Sequence, residues 1–289
     1  MPHHPSQSDS SGFEAPSPEE MNVAISQYDF REMFQSDRTG ALYRAWQDNL
    51  DRDVCIKVMP PGPKGMDTAE FIAVFENEAR MMARLSHPNI VKVYDFGRTG
   101  DGLAYFVMEY VEGDVLYRMI RAGEVTLDHV FEFIPQVCTA LDYAHDRSVV
   151  HCDIRPANIL MTKNRRITVA NFGFSTVRGR SARTSATVSA TSLAAVDYMA
   201  PEIREGQEDI DGRADVYSVG IMIYEMLTGV VPRGAWKPAS EVVGTDPRFD
   251  EIIEKAMAPD REHRYQAAGE IAAALTRPQA GWFRSRSVW

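Results

Sequence analysis

Short runs of β-branched and aromatic residues, separated by turn residues, dominate the chain between Tyr28 and Tyr110. Each run is typical of a β-strand, and together they cover residues 41–46, 53–59, 90–96 and 104–110. Between the second and third runs, apolar residues recur every three or four positions from Phe71 to Leu85, which predicts one helix. The helix is expected to stop before Pro88, because proline cannot continue it. The pattern predicts a small sheet with a single helix.

The pattern becomes mainly helical after Gly113. Apolar residues on one face predict a helix over residues 127–145, and Pro135 predicts a kink inside it. Further helices are predicted over residues 214–228, 249–258 and 267–275, and short apolar runs lie at 149–150, 159–161 and 167–170. The polar residues 1–27 predict a disordered N-terminal tail, and residues 278–289 predict a C-terminal tail.

Composition narrows the class of protein. The 289 residues include 31 lysines and arginines and 41 aspartates and glutamates, so the formal net charge is −10. A chain this acidic is a poor non-specific binder of nucleic acid, so we expect no nucleic-acid partner. No apolar stretch reaches the roughly 20 residues that span a bilayer, and the N-terminus lacks the apolar segment of a signal peptide. We therefore expect a cytoplasmic protein with no membrane span in this chain.

The segment His-Cys-Asp-Ile-Arg-Pro-Ala-Asn-Ile-Leu, which ends at Leu160, resembles the catalytic loop of protein kinases. In that family the aspartate accepts the proton of the substrate hydroxyl, and the asparagine five residues later holds a metal ion. The resemblance implies that Asp153 is the catalytic base and that Asn158 is a metal ligand. Arg155 stands where the family has a lysine that touches the transferring phosphate, and arginine keeps the charge but not the geometry.

Motifs on the N-terminal side of this loop follow the order of a kinase domain. Val-Cys-Ile-Lys, ending at Lys57, resembles the strand whose lysine holds the nucleotide phosphates. Glu78 lies in the single predicted helix and is the implied ion-pair partner of Lys57, although a purely structural pair is the alternative. Residues 107–113 resemble the hinge whose backbone would hold adenine.

Motifs on the C-terminal side continue the same order. Tyr-Met-Ala-Pro-Glu, ending at Glu202, resembles the end of the activation segment, and Arg264 matches the arginine that pairs with that glutamate. Asp215 opens a segment that resembles the buried helix beneath it. The resemblance spans residues 28–277, and the motif sequences are most similar to those of bacterial Ser/Thr kinases of the eukaryotic-like type.

The resemblance implies an α+β, bilobal protein kinase fold. A small antiparallel β-sheet lobe with one helix would cover residues 28–113, and a larger, mainly α-helical lobe would cover residues 114–277, with a nucleotide cleft between them. ATP is the implied nucleotide, and the implied macromolecule is a protein substrate or a protein partner. The implied nucleotide-binding residues are Lys57, Glu78, Leu42, Cys55, Met108, Glu109, Val111 and Leu160.

One departure from the family pattern concerns the metal. Asn-Phe-Gly, beginning at Asn171, stands where the family has Asp-Phe-Gly, whose aspartate coordinates magnesium. Asparagine offers only a neutral carbonyl oxygen, so Asn158 and Asn171 would form a weak metal site, which argues against Mg²⁺ as a cofactor. A loss of about 3–5 kcal/mol of transition-state stabilisation would slow phosphotransfer roughly 10²–10⁴-fold.

Other departures concern the loops. The alignment puts Gln35, Asp37 and Gly40 where the phosphate-binding loop of the family has three glycines. Asp37 would either obstruct and repel the phosphates or turn toward water. Cys152 replaces the arginine that binds a phosphorylated activation loop in the family, and Ala-Ala ending at Ala195 replaces Gly-Thr. The Ser- and Thr-rich stretch after residue 172 fits either a phosphoacceptor segment or a solvated loop.

These observations lead to two main hypotheses. The lost metal aspartate and loop glycines favour a pseudokinase, with impaired or absent phosphotransfer, that acts by partner binding and retains at most weak or magnesium-independent nucleotide binding. The presence of Lys57, Glu78, Asp153 and Asn158 supports the alternative of an active Ser/Thr kinase that transfers the ATP γ-phosphate to protein hydroxyls with unusual metal use. A third reading is a regulatory segment of a membrane kinase, because bacterial relatives often continue into a transmembrane helix.

Overall fold

The computed structural model describes residues 13–37, 40–62, 68–172 and 193–276. The chain divides into two compact units. The first comprises the chain up to Phe71 together with residues 94–110, and the second comprises residues 72–93 and the chain from Val111 onward. Most of the helix that was predicted to accompany the small sheet therefore groups with the second unit.

The first unit is built on a five-stranded sheet. Its strands are β1 (Asp29–Asp37), β2 (Gly40–Gln47), β3 (Arg52–Met59), β4 (Val93–Arg98) and β5 (Ala104–Glu109), with a 3₁₀ turn at Asp48–Leu50. The strand order is β1-β2-β3-β5-β4, and β1–β2, β2–β3 and β3–β5 pair antiparallel. The sequence analysis did not predict β1, in which only Phe30 is buried and no alternation marks a strand.

One face of this sheet carries the core of the first unit. Because side chains alternate between the two faces of a strand, the buried residues Tyr43, Ile56 and Val107 share a face. Met21 and Ile25, which precede the sheet, belong to the same buried cluster. The residues that alternate with these core residues along β2, β3 and β5 therefore lie on the opposite face of the sheet.

The N-terminal segment departs from the disorder predicted for residues 1–27. Residues Pro18–Ala24 form helix α1, whose first turn is held by a capping box between Ser17 and Glu20. Met21 is completely buried, and the Tyr43 hydroxyl donates a 2.6 Å hydrogen bond to the carbonyl of Pro16. For the residues from Ser17 to Ala24 the prediction of disorder is wrong, because the buried Met21 packs into the core of the sheet and the capping box holds the helix.

The second unit is mainly helical. Its helices are α2 (Thr68–Ala83), α3 (Leu116–Arg121), α4 (Leu127–His145), α5 (Leu193–Val196), α6 (Pro201–Arg204), α7 (Arg213–Thr228), α8 (Ala239–Val243), α9 (Arg248–Ala256) and α10 (Ala268–Ala274). It also contains the strands β6 (Gly113–Val115), β7 (Ile159–Thr162) and β8 (Ile167–Val169), which form a three-stranded sheet, and 3₁₀ turns at Pro156–Asn158 and Arg261–His263. The predicted helix over residues 127–145 is confirmed at both ends.

Helix α7 lies at the centre of this unit. Every residue from Ala214 to Met226 is buried, including the polar side chains of Asp215, Ser218 and Glu225. A helix buried on all sides is a fixed scaffold, and polar groups inside it must find partners. Two of the three partners of Asp215 lie in the segment that resembles a catalytic loop.

Within the part of the chain that the structure describes, none of the helices has both the length and the apolar character needed to cross a membrane. A cytoplasmic location stays a prediction. The predicted C-terminal tail at residues 278–289, Gly173 and the Ser- and Thr-rich stretch that follows it lie outside the described residues.

Candidate active site

Four of the predicted nucleotide-binding residues share one face of the five-stranded sheet. Leu42 is paired with Lys57 across β2 and β3, and Cys55 is paired with Met108 across β3 and β5. Cys55 and Lys57 are two residues apart, so all four side chains lie on the same side of the sheet, opposite the core. Glu109 is paired with Val54 and belongs to the other side.

Two groups on this face have well-defined environments. Lys57 is only 8% exposed, which is unusual for a lysine and typical of a functional or paired position. Burial raises the pKa of the Cys55 thiol to about 12, and the nearby Lys57 charge opposes that shift only in part. The thiol therefore stays protonated, and Cys55 acts in packing rather than as a nucleophile.

Gly40, the glycine that survives from the predicted phosphate loop, is required by the fold itself. Its φ is 144°, and a Cβ at this position would lie 2.2 Å from the carbonyl oxygen of Val58. Only glycine allows β2 and β3 to approach this closely. Gly40 is therefore no evidence for phosphate binding, and Asp37, its exposed partner across β1 and β2, ends the described part of the loop.

In the second unit, Asp215 anchors the loop at residues 151–160, which resembles a catalytic loop. Its two carboxylate oxygens accept hydrogen bonds from the backbone N–H groups of His151 (2.8 Å) and Cys152 (2.7 Å). The His145 imidazole donates a third bond, from Nε2 to Oδ2 at 2.8 Å. Burial by itself raises the pKa of the Asp215 carboxyl, but these bonds and the neighbouring histidines outweigh burial and hold the pKa below its usual range.

This anchoring fixes an unfavourable backbone conformation. Cys152 has a φ of 58°, in the left-handed region that non-glycine residues seldom adopt. The bond from its N–H to Asp215 compensates for that cost. The hydrogen bond to Asp215 therefore fixes the backbone at position 152 without involving the Cys152 side chain.

His151 supports the loop from the other side. Its Nδ1 accepts a bond from the N–H of Asp153 (3.2 Å), so its Nε2 carries the proton and donates to the carbonyl of Ala170 (2.9 Å). The ring also meets Phe172 edge-on, with 4.5 Å between the ring centres. His151 thus connects Asp153 with the segment that contains Asn171.

Asp153, Arg155 and Asn158 form one polar group. Arg155 Nε lies 3.1 Å from Asp153 Oδ1, and the Asn158 amide donates from Nδ2 to the carbonyl of Asp153 (2.7 Å) and to its Oδ2 (3.0 Å). The side chains of Asp153 and Arg155 are each 22% exposed, so both reach solvent. The arrangement holds a carboxylate next to a cation within reach of solvent, and the role of Asp153 as a base stays a prediction.

Asn171 completes a chain of amide hydrogen bonds. Its Nδ2 donates to Asn158 Oδ1 at 2.7 Å. The orientation of both amides follows from the chemistry, because the two oxygens of Asp153 only accept and so require the nitrogen of Asn158. Asn158 must then present its oxygen to Asn171, and Asn171 must present its nitrogen. We call this bond the amide clasp.

The amide clasp does not fit a magnesium site. The oxygen of Asn158 that would bind a cation is already an acceptor for Asn171, and the nearest atom of Asn171 is a donor. An aspartate would place a negatively charged oxygen there, which is the ligand that Mg²⁺ prefers. The two residues therefore turn an amide donor, and not a second oxygen, toward the oxygen that would bind the cation.

The remaining predicted residues lie at separate places. Glu78 is buried in α2, and Leu160 is a partly buried residue of β7, paired with Val115. Val111 belongs to the second unit, two residues after β5 ends. The predicted ion pair between Lys57 and Glu78 would join the two units and stays a prediction.

The predicted pair between Glu202 and Arg264 is confirmed. Arg264 is bidentate on the Glu202 carboxylate (2.6 and 2.8 Å), and its remaining donors reach backbone carbonyls of Ala258, Pro259 and Arg213. Burial alone raises the pKa of Glu202, but the bonds from Arg264 outweigh it and hold the pKa below its usual range. This buried pair joins α6, which contains Glu202, to the segment around Arg264.

Two contacts near the site were not found by sequence reasoning. The Tyr198 hydroxyl donates a hydrogen bond to the buried Glu225 carboxylate. Burial raises the pKa of Glu225 above its usual range. The contact of His145 with Asp215 was also missed, although a histidine six residues before His151 was visible in the sequence.

Comparison with known proteins identifies the class. A family model described as "Protein kinase domain" matches residues 36–273, which is most of the chain. The chain therefore belongs to the protein kinase family. The match confirms the α+β, bilobal protein kinase fold that the motifs implied.

Individual relatives come from bacteria. Serine/threonine-protein kinase PknB of Mycolicibacterium smegmatis is 34% identical over 251 residues, covering 80% of this chain and 40% of that protein. PknB of Mycobacterium leprae is 35% identical with the same coverage. The crystal structure of the Mycobacterium tuberculosis PknI kinase domain is 28% identical with a TM-score of 0.72, covering 90% of this chain and 98% of that domain. The chain thus spans about two fifths of the length of the curated relatives that it matches.

Proposed function

We propose that this chain is a pseudokinase: a protein kinase domain whose phosphotransfer is impaired or absent and which acts by binding a protein partner. The observation that supports the proposal is the amide clasp between Asn171 and Asn158. It uses the two residues at the metal-ligand positions of the family to bind each other. Electrostatic stabilisation by metal ions carries much of phosphoryl transfer, so a site that does not fit the cation loses that contribution.

Nucleotide binding need not be lost with phosphotransfer. Lys57, Leu42, Cys55 and Met108 remain together on one sheet face, where they would contact an ATP molecule. We infer that ATP binds weakly and that divalent cations do not strengthen the binding. The nature of the macromolecular partner is inferred from the relatives, which are named as protein kinases, so a protein is the proposed partner.

One observation favours a second candidate function, an active Ser/Thr kinase. Asp153 and Arg155 keep the paired, partly exposed arrangement of a base and a phosphate-binding cation. Proton removal by Asp153 does not itself need Asn171. If the amide clasp opens when nucleotide binds, phosphotransfer to protein hydroxyls would persist at a reduced rate.

The test is calorimetric titration of ATP into the full chain, once in EDTA and once in excess Mg²⁺. The proposal expects weak affinities that are equal within twofold in the two buffers. Lys57→Met is the control variant, because loss of the lysine charge on the sheet face should weaken ATP binding in both buffers. A tight affinity that appears only with Mg²⁺ would overturn the pseudokinase proposal and favour the active kinase.

A further inference from the structure

We propose that His145 is a positioning residue whose protonation state couples the geometry of the catalytic loop to pH. His145 is the last residue of α4, and its ring bridges that helix to Asp215 of α7. The same Asp215 carboxylate holds the backbone of the loop. The inference concerns the loop itself and holds whether or not phosphotransfer occurs.

The geometry leaves the imidazole little freedom. Nε2 donates to Asp215 Oδ2 at 2.8 Å, the same oxygen that accepts the N–H of His151. On the other side the backbone of Gly212 lies against the ring, since a Cβ at Gly212 would be 2.4 Å from Nδ1. The His145 side chain is 16% exposed. The ring therefore cannot turn away from Asp215 without moving the start of α7.

Three carboxylates act electrostatically on this one imidazole. They are Asp215 of α7, which also binds the ring directly, Asp142 of α4 and Asp211 of the turn before α7. Asp211 is also paired with Arg213 at 2.7 Å, and Asp142 accepts the N–H of Gly269 at 2.9 Å. The loop contributes His151, whose backbone N–H donates to the same Asp215 carboxylate.

The balance of these groups favours the imidazolium. Burial by itself lowers the pKa of His145, but the hydrogen bond to Asp215 and the charges of Asp215, Asp142 and Asp211 outweigh it and raise the pKa above the usual histidine range. The protonated form compensates the negative charge of the fully buried Asp215. When the proton leaves, that carboxylate keeps its bonds to the loop but loses its counter-charge.

The direction of the effect follows from the direction of the pKa shift. A histidine whose pKa is higher in the folded state than in the unfolded state contributes its full stabilisation when the pH is below the unfolded-state pKa. That contribution is lost as the pH rises through the folded-state pKa. The catalytic loop should therefore be held most firmly in mildly acidic solution and loosen toward alkaline pH.

The experiment is amide hydrogen exchange across residues 149–154, from about pH 6 to about pH 9, after correction for base-catalysed exchange. In the wild type, the protection of His151 and Cys152 should fall as the pH rises. In His145→Gln, which keeps a side-chain donor but no titrating charge, protection should be lower at acidic pH and should not change with pH. His263→Gln is the matched control, because His263 is exposed and pairs only with Asp260 at 3.6 Å in the described structure.

Two results would overturn the proposal. One is a His145→Gln variant that keeps the pH dependence of the wild type. The other comes from NMR titration of the His145 ring in the wild type, which tests the proposal even if the variant fails to fold. The His145 ring should titrate above the ordinary histidine pKa of about 6.5, and a His145 midpoint at or below that value would refute the coupling.

Discussion

Replacing Asn171 with aspartate tests the amide clasp directly. Asn171→Asp removes the 2.7 Å bond to Asn158 and places a carboxylate oxygen against the oxygen of Asn158. The lost bond is worth about 1 kcal/mol, and leaving the oxygen of Asn158, a residue that is 2% exposed, without its donor costs about 1–3 kcal/mol. We expect a net destabilisation of about 2–4 kcal/mol in EDTA, which for a domain of this size lowers the melting temperature by roughly 4–16 °C.

A divalent cation should reverse this loss only in the variant. The new carboxylate and the freed oxygen of Asn158 together offer a hard oxygen site. Mg²⁺ at 100 times its dissociation constant would return about 2.7 kcal/mol, close to what the substitution removes. Mg²⁺ should not stabilise the wild-type protein to a comparable extent, because the amide clasp engages the oxygen of Asn158.

The assay is thermal unfolding in EDTA and in a Mg²⁺ series. Asn171→Gly is the control, since glycine accepts the φ of 67° at this position and removes the amide without adding a charge. That variant should lose stability in EDTA and show no rescue by Mg²⁺. The reasoning is refuted if Asn171→Asp is as stable as the wild type in EDTA, or if Mg²⁺ stabilises both proteins equally.

Three further substitutions test the fold around the site, each by urea unfolding. Arg264→Lys should cost about 3–5 kcal/mol, because lysine cannot reproduce the bidentate buried pair, and a loss below 1 kcal/mol would contradict the role given to the pair. Met21→Ala should cost about 2–5 kcal/mol, whereas Val23→Ala, at 86% exposure, should stay within about 0.5 kcal/mol; equal effects would mean that α1 is not part of the folded unit. Gly40→Ala should lower the unfolding midpoint sharply and Gly100→Ala should not, since no atom lies within 4 Å of a Cβ at the latter position; a neutral Gly40→Ala would disprove the close approach of β2 and β3.

Much of the architecture follows from local sequence pattern. The helix ending at His145 was predicted with its observed bounds, because apolar residues repeat on one face, and those positions are buried in the structure. The pair between Glu202 and Arg264 was found only through the family motifs, since 62 residues separate the two side chains. Helix α1 was missed because its composition is polar and only Met21 of its seven residues is buried, although the capping box of Ser17 and Glu20 was legible.

The decisive features of the site were not predictable in the same way. Sequence reasoning identified Asn171 as a weak ligand, but the direction of its hydrogen bond depends on where the backbone places Asn158. His145 carries no motif, and its importance arises from its contact with Asp215, which lies 70 residues away in the chain. Such contacts are set by the packing of α4 against α7, which periodicity alone does not specify.

The most direct test of the central claim is the intact mass of the protein after incubation with ATP and Mg²⁺, with Asp153→Asn treated in parallel. A protein substrate mixture should be included in a second pair of reactions, so that transfer to other proteins is also detected. The account predicts no added phosphoryl group in either protein and no labelling of the mixture. A gain of phosphoryl mass in the wild type that is absent in Asp153→Asn would contradict it and would identify an active kinase.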